Sequence, residues 1–228
     1  MENYDTLTLA KKIIKFCISQ NKKFIFIAGN GASGKTQLSK ILSKEASKYG
    51  SVNILDTDDF VVNTKLRNSA TAIWKDSKNK TQKGRYTTSF AESYFLQSIN
   101  AIIYNLEKGN NYYHWPKKAK FSRECRLLHK DAILNIIEGV GTVFLYKNKS
   151  NSLSIFLQCR KEVEFNRRIT RAEKSNEKKL KEVKKYFSER YSQYESQIKT
   201  HINEYNIILE SLEDFSLKII RDNFNILT

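Results

Sequence analysis

Proline is nearly missing. Pro116 is the single proline in a chain of 228 residues, which excludes a proline-rich linker between domains. Cysteine is scarce and scattered. Cys17, Cys125 and Cys159 form no C-x-x-C and have no histidine at ligand spacing. That argues against a zinc site and suits a reducing compartment. No apolar run approaches the ~20 residues of a membrane span. Met1 to Asp5 is polar and acidic, and no signal-type apolar core follows it. A cytoplasmic protein without membrane contact is expected. Acid is also in short supply: 24 Asp and Glu stand against 40 Lys and Arg, a formal net charge of +16. The lysines spread over the whole chain instead of gathering in one basic run. They speak for general composition or an anionic small substrate more than for nucleic acid as the main partner. The remaining composition, 40% hydrophobic and 28% charged, is ordinary for a globular chain. Its length suits one α/β domain with a full core, expected to span residues 1–228.

Within this chain one motif carries most information. Residues 29–36 read Gly-Asn-Gly-Ala-Ser-Gly-Lys-Thr, the G-x-x-x-x-G-K-[ST] pattern of a phosphate-binding loop. The apolar run Phe24 to Ala28 precedes it as a buried strand. Leu38, Ile41 and Leu42 follow at helical spacing. Glycines let backbone N–H groups turn inward around an anion, and the helix start adds positive potential. The expected nucleotide-binding residues are Gly29, Asn30, Gly31, Ala32, Ser33, Gly34, Lys35, Thr36 and Gln37. Lys35 would reach the terminal phosphates of a nucleoside triphosphate, and Thr36 would hold Mg²⁺.

Further along, the pattern alternates between strands and helices. Helices are expected at 6–20, 35–49 with Gly50 as cap, 90–108, 162–174, about 180–202 and 217–226. Strands are expected at 23–28, 52–55, 112–115, 132–137, 153–157 and 205–209. The order indicates a parallel sheet covered on both faces. Residues 63–88 are polar and weakly patterned, as functional or mobile segments are.

Other residues with chemistry fall into three groups. Asp56, Asp58 and Asp59 follow the second strand, at the sheet edge where α/β folds bind ligands. One of them is placed to take a proton from an attacking hydroxyl. In an extended segment Asp56 and Asp58 would share a side. Glu138 ends the apolar run Ile133 to Ile137, a position that suits Mg²⁺ or its water shell. Arg160, Arg167, Arg168 and Arg171 form the third group. The last three lie on neighbouring turns of one helix face, and their planar forks suit phosphate.

Taken in order, Gly29 to Thr36, Thr57-Asp58-Asp59-Phe60, Ile136-Ile137-Glu138-Gly139 and Phe165-Asn166-Arg167-Arg168-Ile169-Thr170-Arg171 resemble the uridine kinase, phosphoribulokinase and pantothenate kinase group of P-loop kinases. The resemblance implies a five-stranded parallel core flanked by helices and an arginine-bearing helical lid at about 160–203. It implies Asp58 as catalytic base near the metal, Glu138 at the metal, and Lys35 and Arg168 acting on the transferred group. Arg167 and Arg171 would attend the nucleotide. Two positions depart from the group's pattern: Pro116 is followed by Lys117-Lys118-Ala119-Lys120 where Tyr-Asp is frequent, and Ala172 stands where an Asp often follows the lid arginines. The acceptor is expected at segments 63–88 and 112–126. Lys117, Lys118, Lys120, Arg123 and Arg126 there would suit a phosphorylated molecule. The expectation is an ATP- and Mg²⁺-dependent kinase of a nucleoside-like hydroxyl acceptor, with a homodimer left open. A polynucleotide 5′-hydroxyl kinase and an acceptor-independent ATPase or switch are the alternatives.

Overall fold

The computed structural model describes residues 3–116, 124–145, 147 and 150–227. A short strand β1 (Asn3–Tyr4) leads into helix α1 (Thr6–Ser19). Asp5 starts that helix, its carboxylate accepting the Thr8 N–H at 3.1 Å. Strand β2 (Phe24–Ala28) is buried along its whole length. Helix α2 (Lys35–Ala46) follows the glycine loop and ends short of the expected Tyr49. Strand β3 (Val52–Asp56) runs into a 3-10 turn, Thr57–Phe60.

After helix α3 (Thr64–Ser69), strands β4 (Thr71–Lys75) and β5 (Thr81–Arg85) pair as an antiparallel hairpin. The polar stretch is therefore regular structure. Its turn is held by Asp76, which accepts the N–H groups of Lys78 and Lys80. Helix α4 (Leu96–Glu107) is shorter than expected, because Phe90 does not belong to its stripe. Phe90 packs with Ala72 and Trp74 under the hairpin instead. Strands β6 (Tyr112–His114) and β7 (Arg126–Leu128) form a second small pair. The lysines at 117, 118 and 120, with Arg123, fall outside the described residues. Strands β8 (Leu134–Glu138) and β9 (Ser152–Gln158) precede helices α5 (Lys161–Glu173) and α6 (Glu177–Gln197). Strands β10 (Ile207–Ser211) and β11 (Leu217–Asp222) come last.

The main sheet has seven strands in the order β1-β11-β10-β9-β2-β8-β3. β3, β8, β2, β9 and β10 run parallel, the five-stranded core the resemblance implies. β11 and β1 extend it antiparallel. The helix expected at 217–226 is thus a strand. Leu217 and Ile219 face the core at period two, and pairing with β10 satisfies a backbone that a helix here would turn away from the sheet edge.

Both faces of the sheet are covered, and β2 shows why its sequence is apolar throughout. Ile25 and Ile27 pack with Leu9, Ile13, Leu38 and Leu42 from α1 and α2. Phe24 and Phe26 pack with Ile99, Ile102 and Ile103 from α4. Alternate residues thus feed opposite layers. The carboxyl ends of β2, β3 and β8 meet at one edge, and there the chemistry collects.

Candidate active site

At that edge β2 gives way to the glycine loop. Gly29 has φ +139°, and a Cβ on it would stand 1.8 Å from the Leu157 carbonyl oxygen, so no side chain fits where the loop crosses β9. Gly34 (φ 99°) caps α2 without any side-chain hydrogen bond. The first N–H groups of the helix are left for an anion. Buried Lys35 donates from Nζ to the Gly29 and Asn30 carbonyls at 3.2 and 2.6 Å. Burial pulls its pKa down, opposed by Glu138, Asp58 and Glu164. An ammonium held among carboxylates and withdrawn from water is primed for phosphate oxygens.

Next to the loop stand the carboxylates. Asp56 on β3 is in register with Glu138 on β8. The Asp56 side chain accepts the Asp58 N–H at 2.9 Å, coiling Thr57–Phe60 into the 3-10 turn. The extended geometry expected for Asp56 and Asp58 is replaced by this turn. Asp58 is left exposed on the site's wall, whereas the Asp59 carboxylate is buried 3.8 Å from His114 Nε2. Glu138 is buried, and its pKa rises through burial first and then the Asp56 charge. A hydrogen bond with the Thr36 side chain opposes the rise. Gly139 (φ +131°) lets β8 turn away: a Cβ there would lie 2.0 Å from Thr57 Oγ1.

A desolvated carboxylate beside a threonine hydroxyl, with Asp58 on the same wall, is an all-oxygen donor set that fits a hard cation such as Mg²⁺. Among the described residues no group of three or more His, Cys, Asp or Glu side chains is arranged to hold a metal alone. Mg²⁺ is commonly held by one or two carboxylates plus phosphates and water.

Over the loop lies α5, fastened by side chains. Asn30 Nδ2 donates to Glu164 Oε2 at 2.7 Å, and Arg168 Nε donates to Glu164 Oε1 at 2.7 Å. The Arg168 guanidinium reaches so close that a Cβ on Gly31 would stand 1.6 Å from it. Arg167 departs from the expected grouping. It donates to the Ala32 carbonyl and the Ser211 hydroxyl at 3.0 and 3.1 Å and to the Leu212 carbonyl, and stacks on the Phe215 ring at 3.9 Å. Arg160 pairs with Glu210 at 2.9 Å, away from the loop.

A cavity of about 490 Å³ joins these parts. Of the residues expected at the site, Gly31, Ala32, Gly34, Lys35, Thr36, Gln37, Asp58, Glu138, Arg168 and Arg171 line it. Gly29, Asn30, Ser33 and Arg167 lie behind the wall and shape it. From segment 63–88 only Arg67 and Thr88 reach it, and no described residue of 112–126 does. The sequence reading placed Arg67 at the acceptor site only as part of segment 63–88, and it missed Arg190 and Phe215. Arg190 had a usable signal: it lies three residues after Phe187 and four before Tyr194, at the border of the α6 apolar stripe.

Residues 24–218 match the phosphoribulokinase/uridine kinase family. The chain belongs to that family. As a member of the phosphoribulokinase/uridine kinase family it is a phosphotransferase that acts on a hydroxyl group of a small molecule, and the family implies use of ATP. Solved structures carry the same fold. Phosphoribulokinase from Rhodobacter spheroides matches with a TM-score of 0.60 at 13% identity, over 84% of this chain and 70% of that one. D-glycerate 3-kinase from Cryptococcus neoformans matches with a TM-score of 0.60 at 13% identity, over 93% and 97%. A possible uridine kinase from Bacillus stearothermophilus matches with a TM-score of 0.50 at 16% identity, over 88% and 98%. No curated protein sequence matches significantly. Among the described residues no helix is long and apolar enough to cross a membrane.

Proposed function

We propose that this kinase transfers the terminal phosphoryl group of ATP to a hydroxyl of a nucleoside-like metabolite, with Asp58 as the base. The observation that carries the reading is the shared cavity: exposed Asp58 and buried Lys35 line it together with Gly31, Ala32, Gly34 and Thr36 of the loop. In this reading the loop amides and Lys35 bind and orient the polyphosphate. Asp58 accepts the hydroxyl proton as the acceptor oxygen attacks. Arg168 and Arg171 stand where negative charge accumulates. Arg167 acts indirectly, propping the Ala32 carbonyl and Phe215. Thr36, Asp58 and Glu138 would hold Mg²⁺, which when bound neutralises phosphate charge. The lid region, about 160–203, keeps water from the phosphate.

Substituting Asp58 by Asn tests the assignment. Turnover should fall ~10²-fold or more, the usual scale for a lost general base, while ATP affinity stays within about twofold of the native protein. ADP release with an acceptor panel gives the first quantity and nucleotide titration the second. Full turnover in Asp58→Asn removes the base from Asp58.

A further inference from the structure

Past Asp58 the site does not end. Arg168, Arg171 and Arg190 line both the active-site cavity and a second one of about 510 Å³ between the β4–β5 hairpin and α5–α6. Its other charged walls are Arg85, Lys179 and Glu182. Five cations thus face one carboxylate.

Most of these cations are only partly compensated. Arg168 is paired with Glu164 at 2.7 Å. Arg85 stacks on the Tyr186 ring at 3.6 Å. Its nearest carboxylate, Glu189, is 3.7 Å away, beyond hydrogen-bond range. Its Nε is buried with no hydrogen-bond partner. Glu189 is instead held by the Arg85 backbone N–H at 2.8 Å. The half-buried Arg190 side chain makes no hydrogen bond or ion pair with any described residue. Burial, then the like charges of Arg168 and Arg85, pull its pKa down to about 10.

A guanidinium partly withdrawn from water beside other guanidinia destabilises the fold unless enough negative charge offsets it. Among the described residues only Glu164, bound to Arg168, and Glu189, 3.7 Å from Arg85, stand close to these guanidinia. Hairpin and helix are already sewn together elsewhere, by Gln193 Nε2 donating to the Arg85 carbonyl at 2.9 Å and Trp74 Nε1 to Ser192 Oγ at 3.0 Å. The arginines are therefore not needed for that contact. Planar forks converging from a strand and a helix match the oxygens of a dianionic phosphate.

We propose that the acceptor is a phosphorylated alcohol, whose phosphomonoester is held in the second cavity by Arg190 and Arg85 while its hydroxyl reaches Asp58. This rests on the kinase reading above and adds the chemical class of the acceptor. Arg168 and Arg171 stand between the two phosphate positions.

The test uses methyl phosphate as probe, titrated calorimetrically into the full chain saturated with Mg²⁺ and a non-hydrolysable ATP analogue. Methyl phosphate should bind the native protein. Arg190→Met should weaken it about tenfold or more, the scale of a charged hydrogen-bonded contact, with analogue affinity within about twofold. The ligand-free Arg190→Met protein should melt no lower than the native one; a merely structural arginine would give a clear drop. Arg190→Lys, which keeps charge without the fork, should bind at an intermediate level. Equal methyl phosphate affinity in native protein and Arg190→Met, or none in the native protein, overturns the phosphate site. ADP release with ribose against ribose 5-phosphate, and uridine against uridine 5′-monophosphate, completes the test. Turnover should require the phosphorylated member of a pair; equal or better turnover of the other overturns the acceptor class and leaves the kinase reading intact. Failure of the ATP analogue to bind overturns the kinase reading, while loss of methyl phosphate in Arg190→Met would still support the anion site.

Discussion

Glu138 occupies a place that does not favour its charge. It is buried, and Asp56 sits opposite in register. Burial chiefly, then Asp56, raises its pKa above the ordinary 4.5. The folded protein therefore holds that proton more readily than the unfolded chain. Between the unfolded and the raised folded value, stability falls as pH rises, and at neutral pH the ionised group is a standing cost. Glu138→Gln removes it. The ligand-free variant should melt higher at neutral pH, by about 2–4 °C if ~1 kcal/mol is recovered. The slope of melting temperature against pH should flatten above 4.5. The same change should lower magnesium-dependent turnover about tenfold or more. Melting curves across pH and rates across magnesium concentration read the two effects. Gly139 makes the opposite case. With φ +131° and Thr57 Oγ1 2.0 Å from a would-be Cβ, Gly139→Ala should cost about 2 kcal/mol or more in urea denaturation.

Between elements, the decisive joint is α5 on the glycine loop. Glu164 is 3% exposed, and one carboxylate serves both Asn30 and Arg168. In Glu164→Ala, Arg168 loses its partner above Gly31, and the Asn30 side-chain amide is left with its Cys159 contacts. The expected loss is about 2 kcal/mol. Amide exchange should quicken across α5 and residues 29–34, and ATP should bind more weakly; hydrogen-exchange mass spectrometry and nucleotide titration check both. Unchanged exchange would mean that Arg167 and the apolar face hold α5 without Glu164. Elements of this kind were unequally readable from sequence. The β2–loop–α2 unit is local and its pattern is complete within the stretch from Phe24 to Leu42. The hairpin was not readable, because its partner face on α6 is polar: Glu189, Ser192 and Gln193 meet it through hydrogen bonds. Nor was β11, since Leu217, Ile219 and Ile220 fit a short helix as well as an edge strand until β10 is there to pair. Arg167 fell on the expected helix face, yet partners brought by the end of β10 decide where its fork points.

At the scale of the whole molecule, the order of motifs along the chain sufficed for the parallel core, whereas the acceptor side needed three dimensions. Arg67, Arg85 and Arg190 come from three separate elements, and no spacing links them. They also give the net charge of +16 a direction that composition lacks. The cavity gathers Lys35, Arg67, Arg168, Arg171 and Arg190 against Asp58, Asp59 and Glu138. A cationic cleft in a cationic protein draws anions from several ångströms away, and dissolved salt screens that pull over ~10 Å at 0.1 M. Once bound, the contacts are desolvated and far less screened. The kcat/KM for ATP should therefore fall several-fold, up to about tenfold, between ~0.05 and ~0.5 M potassium chloride, with kcat changing less than about twofold. Binding to a long polynucleotide would respond more steeply, because each neutralised phosphate releases a counterion and the effects multiply. Steady-state rates and a polynucleotide titration over one salt series separate these cases. A steep loss confined to ATP and small acceptors puts the charge to work at the cleft; kcat/KM that ignores salt makes the lysine excess a matter of composition; and a log–log slope of several units for polynucleotide binding would bring the nucleic-acid end-kinase back as the leading reading.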